Sequence, residues 1–223
     1  TPDATETATE VPIDIINLND NDCNNSVRCW NEEKDENRRV MVYITVTEFI
    51  NINTTNEGGG AIHMVNSGLE CKNTYFERCK AIGSCGGAIY ASNSFDFKSD
   101  IHLSDLNLNN CEAEYGGAVY IFANSPNHQV LIEDCRFTDN KALATNINEF
   151  HGGSACYLSV LNGNTLLRFN KFRRNIGVGG GIKIYNKDDS SNGHLLNDEK
   201  GRILISKCLF ENDNESDCSL FYL

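Results

Sequence analysis

Behind a recurring glycine-rich phrase, apolar and polar residues alternate in short bursts along most of this chain. Ile62 and Met64, Ile89 and Ala91, Val119 and Ile121, Cys156 and Leu158, and Ile182 and Ile184 are each two residues apart. Period two predicts strands with one buried face. A second set of such pairs, Leu69 and Cys71, Ile101 and Leu103, Val130 and Ile132, and Ile203 and Ile205, precedes a large apolar residue five positions later. That odd step requires a corner before Phe76, Leu108, Phe137 and Phe210. Each repeat is therefore expected to hold about three short strands separated by Asn-, Asp- and Gly-rich turns, with no room for a helix.

The glycine-rich phrase is Gly59-Gly60-Ala61-Ile62-His63. It returns at Gly86–Tyr90, Gly116–Tyr120 and Gly153–Tyr157, and more weakly at Gly179–Lys183 and Asp217–Phe221. Between its copies lie Phe76-Glu77-Arg78-Cys79, Leu108–Cys111, Phe137–Asn140, Phe172–Asn175 and Phe210–Asp213. In four of the five a small residue follows two positions on: Ala81, Ala113, Ala142 and Gly177. Two phrases repeating in fixed order mark a repeat architecture, and their uneven intervals suit a coil that stacks on itself and extrudes loops from its corners. The expected fold is all-β, a right-handed parallel β-helix of about six coils.

These alternating phrases resemble the GGA[ILV] and FxxN repeats of the chlamydial polymorphic membrane proteins and their protist relatives. The likeness covers about residues 59–222. It implies a β-helical surface protein acting in adhesion. Cys79, Cys111 and Asp213 depart from the motif by standing where it has asparagine.

Residues 1–12 carry little to bury and read as a flexible arm or linker. Residues 13–39 are expected to cap the first coil, and residues 40–223 to form the β-helix, with 40–52 as its first coil. The last phrase ends without a polar cap, so Cys218, Leu220, Phe221 and Tyr222 are candidates for an end that stacks on another copy or filament neighbour.

Composition narrows the function. The 223 residues carry a formal charge of −12 and no basic run longer than two residues, which excludes the usual footprint of nucleic-acid binding. No apolar stretch reaches the length of a membrane span, about 18 residues. HExxH, GxSxG and phosphate-loop motifs are absent, so no enzyme, metal or cofactor is expected.

Ten cysteines and three N-x-S/T sequons, at Asn24, Asn53 and Asn214, point to a secreted, extracellular or cell-surface glycoprotein. Cys79 and Cys111 share a position on consecutive coils and are a candidate disulfide, against the alternative of two buried thiols. Cys23 and Cys29 are a second candidate pair, within the cap. Cys135 and Cys208 share a column two coils apart and are expected as core thiols.

Two outer columns are candidate binding features. His63, Tyr90, Tyr120, Tyr157, Lys183 and Phe221 form one, whose Tyr90, Tyr120 and Tyr157 either present a face to a protein or glycan partner or are covered. Asn73, Asp105 and Asp134, three residues before the Phe position, form the other. There the readings are Asx turn residues, a calcium-dependent glycan site, or the carboxylate pair of a polysaccharide-active enzyme.

Overall fold

A computed structural model describes residues 13–18, 27–30, 39–93, 100–123, 128–145, 152–160, 163–178, 180–185, 203–211 and 221–222. The described residues are all-β and contain no helix. Four parallel sheets account for the strands. Sheet A contains β1 (Ile13–Leu18), β3 (Arg39–Thr45), β7 (Gly68–Lys72), β11 (Ile101–Ser104), β15 (Gln129–Glu133), β19 (Asn164–Arg168) and β22 (Ile203–Ser206). Sheet B contains β2 (Val27–Trp30), β6 (Ile62–Val65), β10 (Ile89–Asn93), β14 (Val119–Ala123), β18 (Cys156–Val160), β21 (Ile182–Tyr185) and β24 (Phe221–Tyr222). Sheet C contains β4 (Glu48–Ile50), β8 (Tyr75–Glu77), β12 (Asn107–Asn109), β16 (Arg136–Thr138), β20 (Lys171–Arg173) and β23 (Leu209–Glu211). Sheet D contains β5 (Asn53–Thr55), β9 (Lys80–Cys85), β13 (Glu112–Tyr115) and β17 (Lys141–Ala142).

From β3 to β18 the chain visits these sheets in the order A, C, D, B and begins again, and the later circuits run A, C, B among the described strands, an arrangement consistent with a parallel β-helix or solenoid. Sheet D adds a fourth strand to the three expected per repeat. Its inward residues are the small ones that follow the second phrase, Ala81, Ala113 and Ala142, all buried. Alanine alone carries too weak a periodic signal to announce a strand.

Like residues stack across circuits. Ile62, Ile89, Val119, Cys156 and Ile182 pair in register in sheet B. Phe49, Phe76, Leu108, Phe137, Phe172 and Phe210 do so in sheet C. The rings of Phe49 and Phe76 lie 5.1 Å apart, those of Phe137 and Phe172 4.7 Å, and those of Phe172 and Phe210 4.8 Å, so the ring spacing follows the strand spacing of about 4.8 Å.

The final copy of the glycine-rich phrase is shifted by one residue from the expected alignment. Ile182 pairs with Phe221 and Lys183 with Tyr222, so Phe221, rather than Leu220, takes the Ile182 row. Because side chains alternate, a one-residue slip exchanges the faces of a strand. The segment expected as a cap is itself stranded: β1 and β2 extend sheets A and B in parallel.

Two of the four corners never vary. Sheet A passes to sheet C, and sheet C to sheet D, through two residues in every described circuit. The first of the two has a left-handed backbone: Asn73, Asp105 and Asp134 at one corner, Asn51, Asn110 and Asp139 at the other. The second points inward and is held by side chains of the next circuit. Asn170 Oδ1 accepts from the Cys135 amide, and Asn140 Oδ1 from the Cys111 amide, each at 2.9 Å. Length variation is confined to the D-to-B and B-to-A corners, which explains the uneven repeat. The D-to-B corner is also the tightest. A Cβ on Gly87 would lie 2.3 Å from the Gly117 carbonyl oxygen, so this copy has no room for a side chain, whereas the Gly153–Tyr157 copy accommodates the buried Ser154 at the same place, its hydroxyl donating to the Gly180 carbonyl.

Candidate functional site

The outward column next to the glycine corner is a continuous ring stack. His63 and Tyr90 have centroids 4.8 Å apart, Tyr90 and Tyr120 5.4 Å, and Tyr120 and Tyr157 5.0 Å. Lys183 Nζ lies 5.9 Å from the Tyr157 ring centroid. In-register parallel pairing forces this: Tyr90 and Tyr120 each have a ring at one strand spacing on either side, and His63 and Tyr157 end the run in register with Arg28 and Lys183. The stack is covered more than an exposed binding face would be. His63, Tyr157 and Lys183 are buried, and Tyr90 and Tyr120 are half-buried. Tyr157, proposed from sequence as a binding-face residue, is 1% exposed and cannot serve as one. Burial raises the Tyr120 phenol pKa well above its ordinary value, with neighbouring Cys85 adding to the effect. With ring faces occupied by other rings, the column offers little surface for a sugar to stack on.

The cysteines expected to bridge are thiols. Cys79 and Cys111 stand in register, two residues past the Glu77–Asn109 pair, yet both are free and buried. Parallel side chains one strand apart place their Cβ atoms at about 4.8 Å, wider than the roughly 3.5–4.5 Å of a disulfide. Both sulfurs instead do the work of the motif asparagine. Cys79 Sγ accepts from the Ile52 amide and donates to the Phe49 carbonyl at 3.4 Å. Cys111 Sγ accepts from the Cys79 amide. Asn140 and Asn175 continue the column, donating to the carbonyls of Leu108 and Phe137 at 3.0 Å. Burial pushes the Cys111 thiol pKa up.

Cys135 and Cys208 behave likewise in the neighbouring column, separated by Asn170. Cys135 is buried and Cys208 half-buried, and both are free. Cys29 lies in β2, whereas its proposed partner Cys23 lies outside the described residues, as do Cys218, Leu220, Asn24 and Asn214. Asn53 is exposed in β5, the edge strand of sheet D.

Asn73, Asp105 and Asp134 occupy the left-handed residue of the A-to-C corner, with φ of 50°, 52° and 54°. This accounts for their residue type, since Asx side chains tolerate that conformation. Among the described residues, no group of three or more His, Cys, Asp or Glu side chains is placed to hold a metal ion.

The same corner is grooved along its length. One hollow of about 300 Å³ is lined by Val46, Glu48, Asn73, Tyr75, Asp105 and Asn107 among others. A second, of about 260 Å³, is lined by Asp105, Asp134, Arg136, Phe169 and Lys171 together with Leu106 and Cys135. Asp105 belongs to both, so the hollows adjoin. Sequence reasoning found the acidic part of this column and missed Phe169, Arg136 and Lys171. The signal was present, because Phe169 stands three residues before Phe172 as Asp134 does before Phe137.

No family model, curated protein or solved structure matches the chain. Among the described residues, no helix is long and apolar enough to cross a membrane.

Proposed function

We propose that this chain is a right-handed parallel β-helix of an extracellular or cell-surface protein, non-enzymatic and acting in adhesion. The handedness follows the general rule for parallel strands joined by crossovers. The observation that carries the reading is the in-register stacking of like residues over successive circuits. Such a stack makes a long, stiff, straight-sided body whose length is set by repeat number, a shape suited to holding a binding surface away from a cell. The likeness of the two phrases to surface-protein repeats points the same way. Variable corners confined to the D-to-B and B-to-A turns leave room for partner-specific loops without disturbing the stack.

The partner is a cell-surface protein or glycan, and end-to-end stacking of copies through the edge strands of the parallel sheets is a second mode of assembly. Beads coated with the chain are expected to attach to epithelial monolayers, with soluble chain competing. Attachment no greater than that of uncoated beads rejects adhesion. Sedimentation velocity over a wide concentration range tests the filament mode, which a monomer at every concentration removes.

A further inference from the structure

Among the left-handed corner residues of the A-to-C turn, three are not Asx: Val46, Phe169 and Lys207. Asn73, Asp105 and Asp134 are Asx residues, but Val46 and Phe169 adopt φ of 50° and 58° with bulky side chains. Asparagine, aspartate and glycine hold this conformation easily, and large or β-branched residues do so at a cost. Burial does not repay that cost, because Phe169 is 43% exposed and Val46 64%. The corners impose this conformation whatever residue stands there, as at Lys207, Arg78 and Arg174; what sets Phe169 apart is an aromatic ring left partly in solvent on the wall of a groove.

The surroundings of Phe169 specify what it contacts. Lys207 Nζ lies 5.0 Å from the ring centroid and occupies one side. Asp134 and Asp105, which precede Phe169 in the same corner column, line the hollow together with it. On the opposite wall Arg136 and Lys171 pair in register in sheet C, next to Asn107. Neither cation makes an ion pair among the described residues. An apolar ring flanked by amide, carboxylate and cationic groups suits a pyranose: the ring receives the apolar C–H face, and the polar groups exchange hydrogen bonds with hydroxyls. The walls repeat every strand, at about 4.8 Å, a step similar to the advance per sugar in an extended β-linked chain.

We propose that the A-to-C corner groove binds an extended β-linked oligosaccharide running along the stack, with Phe169 as its stacking platform and Asp105, Asp134, Arg136 and Lys171 as hydroxyl partners. This deepens the adhesive reading by naming a ligand class and in that sense rests on it. The groove can fail while protein-mediated adhesion survives, and direct binding by the purified chain separates the two.

The test is calorimetric titration of the full chain with cellohexaose, chitohexaose and a hyaluronan hexasaccharide. At least one is expected to bind saturably. Phe169→Asn should weaken that binding at least tenfold while raising the melting temperature, since Asn relieves the backbone and removes the platform. Phe169→Gly, which also accepts the left-handed conformation, should lose binding equally. The opposite movement of stability and affinity is what a residue with only a structural role does not produce. Absence of saturable binding for all three sugars, or unchanged affinity in both variants, overturns the proposal.

Discussion

The side-chain oxygen of Asn175 accepts two hydrogen bonds from Asn140 of the preceding circuit, one from its backbone amide at 3.1 Å and one from its side-chain nitrogen at 3.0 Å. Asn140 passes the pattern on, accepting from the Cys111 amide at 2.9 Å and donating to the Leu108 carbonyl. At a corner the inward residue cannot pair with the next strand, so these side chains satisfy backbone groups that would otherwise be buried and unpaired. Asn140→Ala orphans the Cys111 amide and the Leu108 carbonyl. It is expected to cost about 2–6 kcal/mol in urea unfolding, each orphan contributing about 1–3. Cys111→Asn replaces a weak sulfur acceptor with the motif's own amide and should raise stability by about 1 kcal/mol. A loss in that variant would show that the column has adapted to sulfur's shape.

Gly87 sits where successive circuits come closest. Its missing Cβ would meet the Gly117 carbonyl oxygen at 2.3 Å and the Glu112 amide nitrogen at 2.6 Å, both backbone atoms that cannot move aside alone. Gly87→Ala is expected to destabilise by ~3 kcal/mol or more. Gly83→Ala, whose Cβ would approach only Asn56 Oδ1 at 3.1 Å, should lose about 1 kcal/mol from its positive φ. Thermal melts of the two variants side by side check the ordering.

Glu133 links His102 and Arg168 across three strands of sheet A, at 3.0 Å and 2.6 Å. Partial burial works to raise its pKa, but the hydrogen bonds from Arg168 and His102 outweigh it and hold the carboxyl below its ordinary value. A carboxyl depressed in the folded state contributes stability above its unfolded pKa, about 4.3, and loses it as pH falls through the folded value. Wild type should therefore melt above Glu133→Gln at pH 7, and the gap should close in acid below pH of about 4. A gap that persists unchanged into acid contradicts the ladder.

Cys85 is half-buried beside Glu114, and burial first, then the carboxylate, push its thiol pKa up to about 12. Thiolate is the reactive species, so at pH 8 the native thiol should react with a disulfide reagent at least ~100-fold more slowly than in urea. Equal rates in the two states would place Cys85 in a different environment.

The periodic part of the fold was legible because it depends on local alternation. Ile62, Ile89 and Val119 announce sheet B, and Phe76, Phe137 and Phe172 announce sheet C, since like residues at one strand spacing must be alike to pack. Sheet D was not legible, because Ala81 and Ala113 are too small to mark a buried face and the exposed Ile82 beside Ala81 breaks the alternation. The last copy of the glycine-rich phrase was read one residue out, because Leu220 and Phe221 are both apolar and only pairing with Ile182 chooses between them.

The same division holds for the candidate sites. Residue types along the chain determined that columns exist, that Asx residues mark corners, and that Cys79 and Cys111 align. Tertiary structure decided what each column does. It gave the tyrosine rings one another as neighbours and so removed Tyr157 from the surface. It kept the aligned thiols as hydrogen-bonding substitutes for asparagine, since parallel side chains do not converge as a disulfide requires. And it joined Phe169 to Arg136 and Lys171 across a groove, because which residues face each other over a corner depends on the path of the chain through space rather than on any spacing along it.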